Sequence, residues 1–222
     1  MGTQAVVSTK NIVKSYGKGN AVLHGADMTV QTGEFVAITG PSGSGKSTLV
    51  RILGLLDQPS GGTLELFGTG LPKGDRALSR LRNEAIGFVF QDYRLVPHYS
   101  VLENVCVPLK INGISPRKRK KRASELLKLV GLGDVLERKA SDLSGGQQQR
   151  AGIARAIAMQ PKLLIADEPT GNLDSETGEK ILKILTTIHK SLGTTLIVVT
   201  HSETVAKRAD RIIRMQDGRL IG

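Results

Sequence analysis

The stretch Gly40-Pro-Ser-Gly-Ser-Gly-Lys-Ser-Thr48 carries residue types suited to binding phosphate. It fits G-x-x-x-x-G-K-[ST], the P-loop pattern, in which glycines let several backbone N–H groups converge on one anion. Lys46 adds a positive charge near the outer phosphates, and the Ser47 hydroxyl is placed to hold Mg²⁺. The sequence therefore predicts nucleotide contacts from Gly40, Pro41, Ser42, Gly43, Ser44, Gly45, Lys46, Ser47 and Thr48.

Two carboxylates end the apolar segment Leu163-Leu-Ile-Ala-Asp-Glu168. An apolar parallel strand delivers its carboxyl end to the ligand crevice of an α/β sheet. There Asp167 is placed to hold the Mg²⁺ shell, and Glu168 is placed to polarise a water against the γ-phosphate. Together with the P-loop, the acid pair predicts hydrolysis of a nucleoside triphosphate.

A second glycine-led helix start lies in Leu143-Ser-Gly-Gly-Gln-Gln-Gln-Arg150. Ser144 is a favourable N-cap, and the paired glycines permit close approach of another backbone. One loop already cradles the nucleotide within the chain. A second phosphate-binding end is therefore most useful against a nucleotide held by another copy, which predicts a two-fold dimer with two ATP molecules at its interface.

The elements around these residues indicate an α/β fold with a helical insertion. Buried strands are expected at 34–39, 86–90, 163–166 and 195–199, antiparallel strands at 6–16, 21–30 and 63–67, a glycine-rich turn at 17–20, and helices at 101–110, 117–130, 145–159 and 176–192. We expect one domain over residues 1–222, in which 1–91 and 161–222 form the catalytic core and 92–160 form a helical subdomain.

Composition places the chain in the cytoplasm. Hydrophobic residues make up 39%, enough for a core, and aromatics only 3%. No apolar run approaches the ~20 residues that span a bilayer, and the N-terminus lacks the apolar region of a signal peptide. Cys106 is the single cysteine and has no partner for an internal disulfide. It lies in an apolar helical pattern and is expected to pack in the core.

The net charge of +11 favours an anionic partner, and much of the excess lies in the run Arg117-Lys-Arg-Lys-Lys-Arg122. The run is typical of the solvated first turns of a surface helix. Contact with the anionic cytoplasmic leaflet, or with an acidic loop of a partner, stays open. Nucleic acid is the weakest option, because no aromatic residues interleave the basic ones.

Leu-Ser-Gly-Gly-Gln at 143–147 resembles the signature of ABC-type ATPases, and the other motifs follow in that family's order. The resemblance covers essentially the whole chain. It implies a P-loop NTPase (RecA-like) core with an N-terminal antiparallel β subdomain and an inserted α-helical subdomain. It also implies ATP and Mg²⁺ as cofactors, with Glu168, His201 and Lys46 as the catalytic residues.

The resemblance assigns further residues to the two sides of the nucleotide. Tyr16 is similar to the adenine-stacking aromatic, with Val22 as an apolar neighbour. Gln91 resembles the glutamine that touches Mg²⁺ and senses the partner protein, and His201 the histidine that contacts the γ-phosphate. The opposite chain is expected to contribute Ser144, Gly145, Gly146, Gln147 and Asp174, the last from Gly171-Asn-Leu-Asp174.

Three segments, 95–104, 147–150 and 166–174, look like the macrolide-export and lipoprotein-release branch of the family. That branch implies integral membrane permeases with four helices and large extracytoplasmic domains. The chain would then be peripheral on the inner face of the membrane, bound through the permease, with no nucleic-acid partner.

The resemblance also covers two functions other than export. A signalling or cell-division ATPase would regulate a membrane partner without transport, and the residues here do not separate it from an exporter. A nucleic-acid-associated ABC ATPase is disfavoured. Chromosome-type members separate the P-loop from the signature by a long coiled coil, whereas here about a hundred residues without sustained heptads intervene.

Overall fold

The computed structural model describes residues 4–17, 19 and 21–221. Two residues of the predicted turn at 17–20, Lys18 and Asn20, lie outside the described residues. The strands are β1 (Ala5–Ser15), β2 (Ala21–Gln31), β3 (Phe35–Thr39), β4 (Gly61–Leu66), β5 (Thr69–Gly70), β6 (Ile86–Val89), β7 (Leu163–Asp167), β8 (Thr195–Val199), β9 (Arg211–Gln216) and β10 (Arg219–Ile221). The α-helices are α1 (Lys46–Leu53), α2 (Asp75–Ala85), α3 (Val101–Ile111), α4 (Pro116–Leu129), α5 (Gly145–Ala156), α6 (Ser175–Leu192) and α7 (Glu203–Ala206).

A six-stranded sheet in the order β10-β9-β3-β8-β7-β6 forms the centre of the fold. Every pairing from β9 to β6 is parallel, and β10 adds an antiparallel edge. The carboxyl ends of these parallel strands therefore lie at one edge of the sheet. The segments that follow β3, β6, β7 and β8 begin at this edge, and they contain the P-loop, Gln91, the acid pair and His201.

Both faces of this sheet are covered, as its apolar strands predict. Along β7 the side chains alternate between two hydrophobic clusters. Leu164 and Ala166 pack with the cluster under α3–α6, while Leu163 and Ile165 pack with the cluster that contains α1 and the first strands. The second sheet has the order β2-β1-β4-β5 and is antiparallel throughout. It confirms the expected N-terminal antiparallel pair.

Some boundaries differ from the sequence prediction. The helix expected over 145–159 ends at Ala156, because Gln160 has a positive φ of 54° and Pro161 follows, which a helix cannot accommodate. Helix α2 was not predicted, and none of its residues is fully buried. Leu78 and Leu81 pack against the second hydrophobic cluster at helical spacing, but these two leucines among charged residues form only a narrow stripe.

Candidate functional site

The P-loop connects β3 to α1 with glycines in conformations that other residues rarely adopt. Gly43 and Gly45 have φ of 77° and 100°, and a side chain on Gly40 would collide with the carbonyl of Met215. Gly45 is also the N-cap of α1, and no side chain caps this helix. The first N–H groups of α1 therefore point out of the helix end without a side-chain acceptor, as an anion site requires.

Two polar side chains of the loop are buried in ways that suit a phosphate. The Ser44 hydroxyl is buried and has no hydrogen-bond partner. The Lys46 ammonium donates to the carbonyls of Gly40 and Pro41, at 2.8 Å each. Burial lowers the pKa of Lys46, while the charges of Glu168 and Asp167 act in the opposite direction. Lys46 is held inside the loop, where it can meet an incoming anion.

Ser47 and Asp167 bring an alcohol and a carboxylate together at the sheet edge. The Ser47 hydroxyl donates to Asp167 Oδ1 at 3.3 Å. Burial raises the pKa of Asp167, and the hydrogen bond from Ser47 opposes this rise. Oxygen ligands of this kind suit Mg²⁺, which usually takes one or two protein ligands and completes its shell with phosphate and water. Among the described residues, no group of three or more His, Cys, Asp or Glu side chains is placed to hold a metal ion.

Glu168 and His201 meet beside this pair. His201 Nε2 lies 2.6 Å from Glu168 Oε1, although the residues come from the ends of different strands. Glu168 has a positive φ of 45°, which costs energy for a residue with a side chain and is most often kept at functional positions. Both residues line a cleft of about 570 Å³ that also contains Asp174. The cleft leaves room for a water next to a carboxylate.

Gln91 lies close to the same carboxylate. A Cβ atom on Gly171 would lie 3.1 Å from Gln91 Nε2 and 3.3 Å from Glu168 Oε2. The Gln91 side chain donates to Asn172 Oδ1 at 3.2 Å, and Asn172 donates back to the Gln91 carbonyl at 3.3 Å. Asn172 was not singled out from the sequence. It connects the segment after β6 with the segment after the acid pair.

Tyr16 is half exposed at the end of β1, and its hydroxyl donates to Asp57 at 2.7 Å. Lys14 pairs with the same carboxylate at 2.6 Å and lies 4.8 Å from the centre of the Tyr16 ring. Burial alone would raise the pKa of Asp57, but the hydrogen bonds from Lys14 and Tyr16 outweigh it and hold the pKa below its usual value. Asp57 thus fixes the ring, and no sequence pattern indicates this contact across 41 residues.

Val22 lies beside the P-loop on the next strand. Its carbonyl oxygen is 3.0 Å from the position that a Cβ atom on Gly45 would occupy. The structure therefore brings Val22 to the loop.

The signature segment lies at the start of α5 and forms a reciprocal cap. Ser144 Oγ accepts from the N–H of Gln147 at 3.4 Å, and Gln147 Oε1 accepts from the N–H of Ser144 at 3.0 Å. The predicted N-cap is therefore confirmed. Within the described part of the chain, no hydrogen bond joins residues 144–147 to the P-loop. The chain thus presents this helix end separately from its own phosphate loop.

Arg155 in the last turn of α5 was also missed by the sequence reading. Its guanidinium donates to the carbonyls of Arg94 and Tyr93, at 2.5 Å and 2.9 Å. Burial lowers its pKa to about 10. Tyr93 and Arg94 both have positive φ, so their carbonyls are turned by an irregular loop. Arg155 therefore connects the signature helix to the loop that carries Gln91.

The strand–loop–helix geometry of the P-loop, with an acid pair at the end of β7, a parallel strand of the same sheet, defines a P-loop nucleoside triphosphatase. The comparisons with known proteins narrow this class. A family model described as "ABC transporter" matches residues 23–171. The chain therefore belongs to the ABC transporter family, as an ATP-binding cassette with ATPase activity.

Several relatives are similar over nearly the whole chain. The lipoprotein-releasing system ATP-binding protein LolD 1 of Rhodopseudomonas palustris is 46% identical over 98% of this chain and 99% of its own length. The macrolide export ATP-binding/permease protein MacB of Azoarcus sp. is 47% identical over 97% of this chain, which spans 33% of that protein. A dimeric post-hydrolysis structure of the ATP-binding cassette MJ0796, bound to ADP and Pi, has a TM-score of 0.90 and 42% identity and covers 97% of each chain. These similarities confirm the ABC cassette fold and the branch that the sequence indicates.

Among the described residues, no helix is long and apolar enough to cross a bilayer.

Proposed function

We propose that the chain hydrolyses ATP as a homodimer with two ATP molecules at its interface, and that this cycle drives a membrane permease. One observation carries the proposal. The P-loop, Ser47 with Asp167, and Glu168 with His201 share one sheet edge, while a second helix end suited to phosphate lies apart from them. A chain with one nucleotide-binding edge and a separate covering surface is suited to pairing with its own copy.

The nucleotide side of each chain would hold ATP by its phosphates. The backbone of Gly40–Thr48 and the Lys46 ammonium would bind the β- and γ-phosphates, with the Tyr16 ring against the adenine and Val22 beside it. Ser47, Asp167 and Gln91 would hold Mg²⁺, which when bound neutralises charge on the phosphate oxygens. The buried, unpartnered Ser44 hydroxyl and the cation of Lys46 support this arrangement.

Glu168 would accept the proton of the attacking water. Its carboxylate is 2.6 Å from His201 Nε2, where an imidazole N–H can orient it; with ATP bound, the same N–H would turn to donate to the γ-phosphate. The Gln91 amide on the other side of Gly171 would help to place the water. General-base catalysis contributes roughly 10²- to 10⁴-fold to a rate, so loss of this carboxylate should stop turnover.

The opposite chain would cover the ATP with Ser144, Gly145, Gly146 and Gln147, and Asp174 would approach from the segment after its own acid pair. Asp174 is exposed, and hydrogen bonds from Thr177 lower its pKa, so it stays charged at a surface. The solved MJ0796 cassette is dimeric and holds ADP and Pi, which supports a composite site of this kind.

The permease would dock on the helical side of the Gln91 loop. A groove of about 440 Å³ is lined there by Phe90, Arg94, Pro108 and Ile111. We propose that residues 1–91 and 161–222 form the catalytic core of a single domain, and that residues 92–160 pass movements of the Gln91 loop to this groove. The permease would be of the type that LolD and MacB proteins serve, and the chain would lie on the cytoplasmic face of the membrane.

The variant Glu168→Gln tests the proposal. It should bind ATP-Mg with near wild-type affinity, lose turnover by roughly 10²- to 10⁴-fold, and elute as a dimer when ATP is present. The matched control is Glu137→Gln, at an exposed acid far along the chain from the acid pair, which should leave turnover unchanged. Turnover of Glu168→Gln within tenfold of wild type would contradict the assignment of the base.

A further inference from the structure

The basic run 117–122 occupies the first two turns of α4 and is not used by the proposed ATPase cycle. Helix α4 contains seven basic residues and one acid. Arg117, Lys118, Lys120 and Lys121 are exposed, and Arg119 and Arg122 are partly buried. No ion pair among the described residues includes any of the six. The run is therefore an uncompensated positive surface.

This placement opposes the stability of α4 itself. The N-terminus of a helix carries partial positive charge, so basic residues in its first turns are unfavourable and acidic ones favourable. The first turn of α4 has no acidic residue. Neighbouring like charges three and four residues apart add repulsion. Packing does not require the charges, because the face opposite the exposed ones buries Ala123, Leu126 and Leu127.

The run also begins next to the groove proposed for the permease. Ile111 ends α3, lines that groove and is 69% exposed. Five residues separate it from Arg117, so the two lie within roughly 20 Å of each other along the chain. An exposed apolar residue beside a basic helix start is the combination found on segments that contact a membrane surface.

We propose that the N-terminal half of α4 binds the anionic headgroup surface of the membrane directly. The membrane as the source of negative charge rests on the proposed function, because the permease groove places this end of α4 towards the bilayer. Four exposed cations spread over the outward half of a helix meet an extended negative plane better than one acidic loop, which would pair with only one or two. Helix α4 contains no aromatic residue that would favour nucleic acid.

The experiment measures co-sedimentation of the purified full chain with vesicles. One set contains about 30% phosphatidylglycerol in phosphatidylcholine, and the other contains phosphatidylcholine alone. We expect binding to the anionic set only, weakening steeply as salt rises from 50 to about 500 mM, because screening shortens the reach of the charges. Equal binding to neutral vesicles, or no binding to anionic ones, would overturn the proposal.

The variant Arg117→Gln/Lys118→Gln/Lys120→Gln/Lys121→Gln removes the exposed cations. Each charge near an anionic surface contributes about fivefold to the partition coefficient, so the variant should lose about a hundredfold or more. Its ATPase turnover should match wild type, and its Tm should be equal or higher because repulsion in α4 is relieved. The control Lys10→Gln/Lys183→Gln/Lys190→Gln/Arg219→Gln removes four other exposed charges and should retain most of the binding.

Two further outcomes decide between explanations. If the control loses as much binding as the α4 variant, net charge and not the run is responsible, and the proposal fails. If duplex DNA binds through the run while anionic vesicles do not, the partner is a nucleic acid and the proposal is wrong. A wild-type chain that binds vesicles but hydrolyses no ATP would contradict the proposed function while leaving the lipid contact intact.

Discussion

The molecule has two glycine-led helix ends that suit phosphate, and they differ in what surrounds them. Helix α1 begins at Gly45 without a side-chain cap, next to Lys46, Ser47 and the acid pair. Helix α5 begins at Ser144 with a reciprocal cap, and its first residues, Gly145 to Gln149, carry no charge. The first end has the Lys46 cation, the Ser47–Asp167 pair that we propose to hold Mg²⁺, and Glu168, the proposed base. The second has only uncharged groups, which are backbone N–H groups, the Ser144 hydroxyl and glutamine amides.

This difference indicates that the two helix ends are suited to different steps. At α5 the cap already satisfies the N–H of Gln147, which leaves the N–H groups of Gly145 and Gly146 for another acceptor. Such an end can close over a phosphate but cannot activate a water. The α1 end is suited to bind the nucleotide phosphates and to activate a water, but it lies open on one side. Each end therefore supplies what the other lacks, and the predictions below separate their contributions.

Lys46→Ala should have the largest effect. Removing the buried cation of the P-loop should weaken ATP binding about a hundredfold and lower turnover by about 10³-fold or more, because Lys46 stabilises charge on the outer phosphates. Binding can be followed with a fluorescent ATP analogue, since the chain has no tryptophan. Lys190→Ala, at an exposed lysine of α6, is the control. Turnover within tenfold of wild type would contradict the assignment of Lys46 to the nucleotide site.

Ser144→Arg should lower turnover about a hundredfold while the chain alone binds ATP within about twofold of wild type. The bulk of the new side chain blocks the α5 end but leaves the P-loop untouched. Loss of the cap should cost about 1 kcal/mol, seen as a fall of roughly 2–4 °C in Tm. The control is Ser141→Arg, at an exposed serine three residues earlier. Equal loss of ATP affinity and turnover would mean that the two ends are not separate in function.

Asp57→Asn should have the smallest effect. Asp57 contacts Tyr16, the residue that we propose to stack on the adenine. The substitution weakens the contacts that fix Tyr16, so KM for ATP should rise roughly three- to tenfold with kcat unchanged. Tyr16→Phe, which keeps the ring and loses the same hydrogen bond, should behave alike. Asp134→Asn serves as the control. A fall in kcat without a change in KM would show that Asp57 does not act through nucleotide binding.

The local motifs of the candidate site were easier to predict from the sequence than the contacts that hold them in place. The P-loop, the acid pair and the Ser144 cap are local patterns whose spacing states the geometry, and each lies at the start or end of a predicted element. Parallel strands end at one edge, so the acid pair and His201 could be expected at the same edge of the sheet, but the contact between Glu168 and His201 depends on the pairing of β7 with β8.

Contacts between distant parts of the chain were not predictable in this way. Asp57, Arg155 and Asn172 each join loops through one hydrogen-bonding side chain, and such pairs leave no periodic pattern. Strands β9 and β10 were also missed. Strand β9 does alternate, with Ile213 and Met215 buried, but it is short and close to the end of the chain. The partition into a core and a helical subdomain stays a prediction.

The most direct test of the composite site mixes two inactive chains. Lys46→Ala destroys the α1 end, Ser144→Arg destroys the α5 end, and each variant alone should hydrolyse almost no ATP. A mixed dimer contains one site with both defects and one site with neither, so an equal mixture should recover about a quarter of wild-type turnover. Recovery at that level is the predicted result. A mixture of Lys46→Ala with Glu168→Gln, which are both defective at the α1 end, should recover nothing, whereas Ser144→Arg with Glu168→Gln should again recover about a quarter. If the mixture of Lys46→Ala with Ser144→Arg is no more active than its components, each chain completes its own site and the account is wrong.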